Sequence, residues 1–246
     1  LVATSFGREF LTEGDAVIIS GLEHHSNIVP WQIICEQQKA ELRVIPINSK
    51  GEIILEEYQK LLDDRVKIVS VGYVSNALGT VHPVREVIRL AHDLHIPVLL
   101  DAAQAIQHLP IDVRDLDVDF LAFSSHKVFG PTGMGILYGK EKWLDKMPPY
   151  QGGGEMIETV TFEKTTYNKL PFKFEAGTPH IAGVIGLDAA LKYVQSIGLE
   201  NIRIYEKDLM AYAMDQLTSI DSLRFVGQAA ERSGAISFLL EGIHPY

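Results

Sequence analysis

The chain has 246 residues, 46% of them hydrophobic and 22% charged, and a net charge of −10. That is the composition of a globular protein with room for a large core. The acidic balance speaks against nonspecific nucleic-acid binding through a basic surface, and no apolar run reaches the roughly 18 residues of a membrane span.

One cysteine excludes an internal disulfide framework and fits a reducing, cytoplasmic setting. No secretory pattern opens the chain. LVATSFGREF (1–10) reads as the middle of a helix, Leu1 stands where an initiator Met would, and the chain stops soon after an apparent strand. A piece trimmed at both ends is expected.

In chain order, Ala16–Ser20 is a short buried strand. Asn27 is expected to cap a helix over Ile28–Ala40, with Pro30 tolerated in its first turn. Leu42–Pro46 is a strand, Leu55–Leu62 a helix, and Val66–Tyr73 a strand that runs into Ser75-Asn76-Ala77. Val84–Leu94 is a helix with Val84, Val87, Ile88 and Ala91 on one face. Strands follow at Val98–Leu100, Phe120–Phe123 and Gly135–Tyr138.

From Pro148 to Pro179 the pattern loosens around three consecutive glycines, with TVTF and FKF as candidate short strands. Ile181–Gln195 is a helix whose Gly183 and Gly186 suggest close packing, and Leu199–Leu217 is a long amphipathic helix. Strands at Ser222–Val226 and Ala235–Leu240 read as the start of a second domain. Helices alternating with apolar strands predict βαβ units, hence an α/β fold with a mostly parallel sheet flanked by helices. The expected division is a large domain over 1–195 and an incomplete small α/β domain over 196–246.

Four of these strands end in polar groups. Ser20 leads to Glu23, His24 and His25; Tyr73 to Asn76; Leu100 to Asp101 and Gln104; Phe123 to Ser124, His126 and Lys127. Parallel strands would gather all of them at one edge of the sheet, where α/β folds hold ligands. A lysine at the mouth of a buried strand has one end in apolar surroundings, which favours the neutral amine that attacks carbonyls. An acid at the neighbouring strand end can keep a pyridine nitrogen protonated, so a strand-end Lys and a strand-end Asp suit pyridoxal phosphate.

Other chemistries fit less well. Gly130-x-x-Gly133-x-Gly135 lies between two strands and misses the dinucleotide fingerprint, and there is no phosphate-loop lysine pattern. With no HExxH and a single Cys, no metal site is expected; His92 and His95 share a helix face but suit solvated or capping roles.

The segments EHHSNIVPWQ (23–32), VSNALGT (74–80), DAAQA (101–105), FSSHKVFGPTGMGILYG (123–139), QGGGEMI (151–157) and FEAGTP (174–179) together resemble the SufS-type cysteine desulfurases. These are class V aminotransferase-like, fold-type I pyridoxal-phosphate enzymes, and the likeness runs through nearly the whole chain. It implies that Lys127 holds the cofactor and moves the substrate's α-proton, that Asp101 pairs with the ring nitrogen, and that Gln104 reaches the ring hydroxyl. His24 would stack on the ring and share in catalysis. Ser124 and His126 would bind the phosphate, Asn76 the substrate carboxylate region, and Thr178 the phosphate of a partner subunit in a homodimer.

The implied reaction converts L-cysteine to L-alanine, with sulfur passed to an enzyme cysteine as a persulfide and onward to an acceptor protein, usually for iron–sulfur cluster assembly. Selenocysteine lyase, another class V lyase or transaminase, and a non-catalytic dimerising domain are the alternatives. The family's Gly-Thr-Thr phosphate segment, its nucleophilic cysteine and the arginine that follows it have no counterpart here. Cys35, in an apolar helix, reads as a small hydrophobe, so the chain by itself is expected to be inactive as a desulfurase.

Overall fold

Apolar runs joined by helices assemble into one six-stranded sheet in the computed structural model, which describes residues 1–244. Positions 245 and 246, the last of the expected second domain, lie outside the described residues. The chain opens with helix α1 (Val2–Phe10), then β1 (Ala16–Ser20), α2 (Val29–Gln38), β2 (Glu41–Ile45), α3 (Leu55–Leu61) and β3 (Val66–Gly72). Next come α4 (Val84–His92), β4 (Val98–Asp101), β5 (Phe120–Ser124) and β6 (Gly135–Gly139).

The strand order is β2-β1-β3-β4-β5-β6. Strands β1 to β5 are mutually parallel, and β6 returns antiparallel to β5. This is the α/β fold with a mostly parallel sheet that the sequence predicts.

Side chains alternate across a pleated strand, so each strand feeds both faces of the sheet. Ile18, Val69, Val71, Leu100 and Leu121 pack on one face with Tyr58 of α3 and Val84, Val87 and Ala91 of α4. Val17, Ile19, Ile68, Leu99 and Phe120 pack on the other with Phe6 of α1 and Trp31 and Ile34 of α2. A sheet covered on both faces reads as continuous apolar runs, which is why these strands are visible as such. Burying each large aliphatic side chain contributes about 2 kcal/mol.

The later elements are α5 (Glu141–Leu144), β7 (Ile157–Val160), β8 (Thr165–Tyr167), α6 (Ile181–Ile197), α7 (Leu199–Thr218), β9 (Leu223–Val226) and β10 (Ser237–Leu240). β7 pairs antiparallel with β8, and β9 with β10. Helix α6 lies against the Gly130–Met134 turn with no room for side chains: a Cβ on Gly183 would stand 2.6 Å from Met134 Cγ, and one on Gly186 2.5 Å from Pro131 Cγ. The last segments reach back to the sheet's loops, with Gln228 N donating to Lys50 O (2.9 Å) and Val81 N to Glu231 O (3.0 Å). Among the described residues no helix is long and apolar enough to cross a membrane.

Three local expectations are corrected. FKF is a single 3-10 turn over Phe172–Phe174, not a strand; Lys173 Nζ is held by the Leu144 and Asp145 carbonyls at 2.9 and 2.8 Å. Asn27 does not cap α2, whose N-cap is Ile28; its side chain bonds Glu23, Ser70 and the Trp31 indole instead of the helix's first backbone N–H groups. Helix α7 forms at the expected place, but none of its residues is buried, and Tyr205, Leu209 and Tyr212 are exposed.

Candidate active site

The carboxyl ends of β1, β3, β4 and β5 rim a cavity of about 570 Å³, within the usual size for small-molecule sites. Its lining includes His24, Asn76, Asp101, Gln104, Ser124, His126 and Lys127, so seven of the eight residues singled out in the sequence share one space. Thr178 is not among them; it lies exposed in the loop after the β7–β8 hairpin. The amino end of α1, at Leu1–Ala3, also borders the cavity, as do Trp31 and Leu99, which sequence reasoning does not single out.

Asp101 ends β4, one strand from the Phe120–Ser124 strand that leads to Lys127; its register partner on β5 is Ala122. Asp101 Oδ1 accepts from Ala103 N at 2.9 Å, an Asx turn that fixes the carboxylate, and Oδ2 has no donor among the described residues. Lys127 sits in a short 3-10 turn, Ser125–Val128, directly after β5; it is half-buried, and its Nζ has no acceptor or anion among the described residues. The turn is closed by Gly130 N donating to Ser125 O (3.0 Å) and Ser125 N to Met134 O (3.1 Å). The side chains of Ser124 and His126 are likewise without partners among the described residues.

Gln104 Oε1 accepts from Gln107 Nε2 at 3.1 Å, which leaves Gln104 Nε2 as a donor. His24 Nδ1 accepts from Ser26 N (3.2 Å) and meets Ser26 Oγ (2.8 Å), so a neutral ring carries its hydrogen on Nε2.

Behind His24 lies a buried polar network. Glu23 Oε1 accepts from Ser20 Oγ (2.5 Å) and Gly72 N (2.9 Å), and Oε2 from Asn27 Nδ2 (2.6 Å). Asn27 Oδ1 accepts from Ser70 Oγ (2.5 Å) and Trp31 Nε1 (3.1 Å). Burial pushes the Glu23 carboxyl above its usual range against these three hydrogen bonds, and the charge of Asp101 adds to the rise. Sequence reasoning gives Glu23 no role. Its place among the polar groups that follow β1, directly before His24, is the signal in the sequence, and its partner on β3, Gly72, lies 49 residues away.

Cys35 is 3% exposed on α2, and burial pushes its thiol up to about 11, so it is a neutral core group at pH 7. Among the described residues no group of His, Cys, Asp and Glu could hold a metal ion.

Among the described residues, an amine and a carboxylate oxygen without partners thus stand at neighbouring strand ends of a mostly parallel α/β sheet, the edge where such folds hold ligands. The family model described as Aminotransferase class-V matches residues 1–246, and the chain belongs to that family.

A cysteine desulfurase from Synechococcus elongatus is 54% identical over 245 residues, covering all of this chain and 39% of that protein. One from Escherichia coli (strain K12 / DH10B) is 51% identical over 247 residues, covering all of this chain and 61% of that protein. The crystal structure of the Escherichia coli cysteine desulfurase CsdA superposes with a TM-score of 0.94 at 37% identity, over 99% of this chain and 60% of that one. The apo cysteine desulfurase of Thermococcus onnurineus gives 0.94 at 36% identity, over 99% and 61%. The chain thus spans 39% to 61% of the length of these relatives.

Proposed function

We propose that this chain is the cofactor-binding part of a pyridoxal-phosphate-dependent cysteine desulfurase, which converts L-cysteine to L-alanine and passes the sulfur to a cysteine as a persulfide. The single observation that carries the reading is the shared cavity of Lys127 Nζ and Asp101 Oδ2, neither with a partner among the described residues. The residues fit the group: an amine for an aldehyde, an acceptor for a ring N–H, and a serine and histidine beside them for a phosphate. When bound, pyridoxal phosphate supplies an aldehyde and an electron-accepting ring.

Lys127 holds the aldehyde end and, through Nζ, moves the substrate's α-proton. Asp101, fixed by Ala103 N, accepts the ring N–H through Oδ2 and so keeps that nitrogen protonated. Gln104, with its Oε1 occupied by Gln107, donates through Nε2 to the ring hydroxyl. His24, oriented by Ser26, covers the ring face. Ser124 and His126 take the phosphate, with the amino end of α1 nearby as a further source of N–H donors, and Asn76 meets the substrate carboxylate.

Thr178, outside the cavity, serves the phosphate of a partner subunit, so the working form is a homodimer. The cofactor domain is 1–195, and 196–246 opens a second domain. The free, buried Cys35 thiol suits a cytoplasmic protein, and the sulfur goes on to an acceptor protein. Because a thiolate is needed to attack the substrate sulfur and Cys35 is neutral and buried, the 246-residue chain by itself should release no sulfide or persulfide from cysteine.

Borohydride reduction after mixing with pyridoxal phosphate tests the core of this reading. A pyridoxyl adduct should map to Lys127 by peptide mass spectrometry and vanish in Lys127→Ala. No adduct on the parent chain would favour a non-catalytic dimerising domain of the same fold.

A further inference from the structure

We propose that Glu23 is a positioning residue for the ring nitrogen: tied across β1 and β3, it fixes the turn that carries His24 and sets a second negative charge beside Asp101. The inference rests on the cofactor reading given under Proposed function and deepens it.

Three observations converge. First, the carboxylate is anchored on separate elements at once: Ser20 at the end of β1, Gly72 N at the end of β3, and Asn27 before α2. Gly72 is the register partner of Asp101, and a Cβ on Gly72 would lie only 3.5 Å from Glu23 Oε2. The charge therefore sits over the strand next to the one that ends in Asp101.

Second, every donor to Glu23 is neutral. No Lys, Arg or His lies within ion-pair distance among the described residues, and the partners of Asn27 (Ser70 and Trp31) are neutral too. The other titratable groups around the same cavity are Asp101, His24, His126, Lys127 and the amino group of Leu1.

Third, three neutral donors satisfy the oxygens without cancelling the charge, and a half-buried carboxylate without a cation costs free energy. Burial and Asp101 both act against its ionisation, in line with two like charges held close. A site with two neighbouring carboxylates and no structural cation for either is matched by a cationic group, and a protonated ring nitrogen is one.

The test is a pH titration of the absorbance of the bound cofactor in the cofactor-loaded full-length enzyme, with far-UV circular dichroism to confirm the fold. Glu23→Gln should lower the titration midpoint by about one pH unit, as expected for loss of one charge several ångström away. Ser20→Ala keeps the charge and loses one anchor, so its midpoint should stay near that of the parent. The double variant Glu23→Gln with Asn27→Asp supplies an acceptor for the new amide and keeps the fold if the single variant does not load. The charge has then moved to position 27, across one hydrogen bond from position 23, and its midpoint should fall by less.

An unchanged midpoint in whichever Glu23 variant loads, or an equal shift in Ser20→Ala, would overturn the electrostatic role and leave Glu23 a turn anchor. If the parent enzyme takes up no pyridoxal phosphate, the cofactor reading itself fails, and that is scored before any variant is made.

Discussion

Two carboxylate centres, one buried and one half-buried, sit at opposite ends of the same sheet. At the amino end of β5, Asp119 is 1% exposed and accepts from His92 Nε2 (2.7 Å), Trp143 Nε1 (2.9 Å) and Val98 N (3.0 Å), with Lys140 Nζ at 3.2 Å. Burial works to raise its carboxyl, but these bonds and the Lys140 charge outweigh it and hold the group down to about 2. At the carboxyl end, among the described residues, Glu23 has only neutral donors and is pushed up, and Asp101 keeps one oxygen unpaired. The first centre has its charge met from within the chain and can only staple α4, β4, β5 and α5 together. The second leaves negative charge unmatched, which a structural role would not require and a cationic ligand would use.

The contrast can be broken most sharply at Asp119. Asp119→Ala strands His92, Lys140, Trp143 and the Val98 N–H, and should cost about 3–4 kcal/mol in urea unfolding. Its pH signature has a definite sign. A folded-state pKa below the unfolded value gives stability that is present above about pH 4 and lost as the pH falls toward about 2. Asp119→Asn should therefore flatten that acid limb, as read by unfolding free energy across pH.

At the other end, Asp101→Asn should weaken pyridoxal phosphate binding by about 10–100-fold, the size of one charge-assisted hydrogen bond, with unfolding free energy nearly unchanged. A stability loss as large as that of Asp119→Ala would erase the distinction between the two centres.

A smaller step sharpens it. Trp143→Phe removes one of the donors to Asp119 and should cost about 1 kcal/mol without touching cofactor affinity. Smallest in effect, Cys35 should resist alkylation in the folded chain and label only with denaturant, because its thiol is 3% exposed and held up to about 11.

What is readable in the sequence follows from which contacts are local. The strands β1, β3, β4 and β5 show as apolar runs because both faces of the sheet are covered, and α4 shows because one of its faces alone is buried. The site is readable too, since parallel strands bring their ends to one edge whatever the loops between them do.

Asn27 misleads because its sequence neighbours look like a helix start, while the partner that claims its side chain, Ser70, lies 43 residues on. FKF alternates like a strand, but Pro171 before it and the capture of Lys173 by the Leu144 and Asp145 carbonyls leave room for only one tight turn. β8 has too few apolar residues to be seen alone and exists through its pairing with β7. Helix α7 is expected to be amphipathic, and it packs partly through Leu199 and Ile202 against the Val128, Leu187 and Val194 cluster, while Tyr205, Leu209 and Tyr212 stay exposed.

The rim of the cavity is drawn from four strands whose ends are far apart along the chain, and the end of β1 is held two strands from that of β4 only when β3 slots between them. On the proposed function, ligand affinity would be withheld from a partly assembled chain: until the turn holding Lys127 closes through Ser125 N on Met134 O, Lys127 and Asp101 would not share one cavity. Occupancy would then pull the last docking steps forward by mass action, making the small molecule a reporter of completed assembly as well as a reagent.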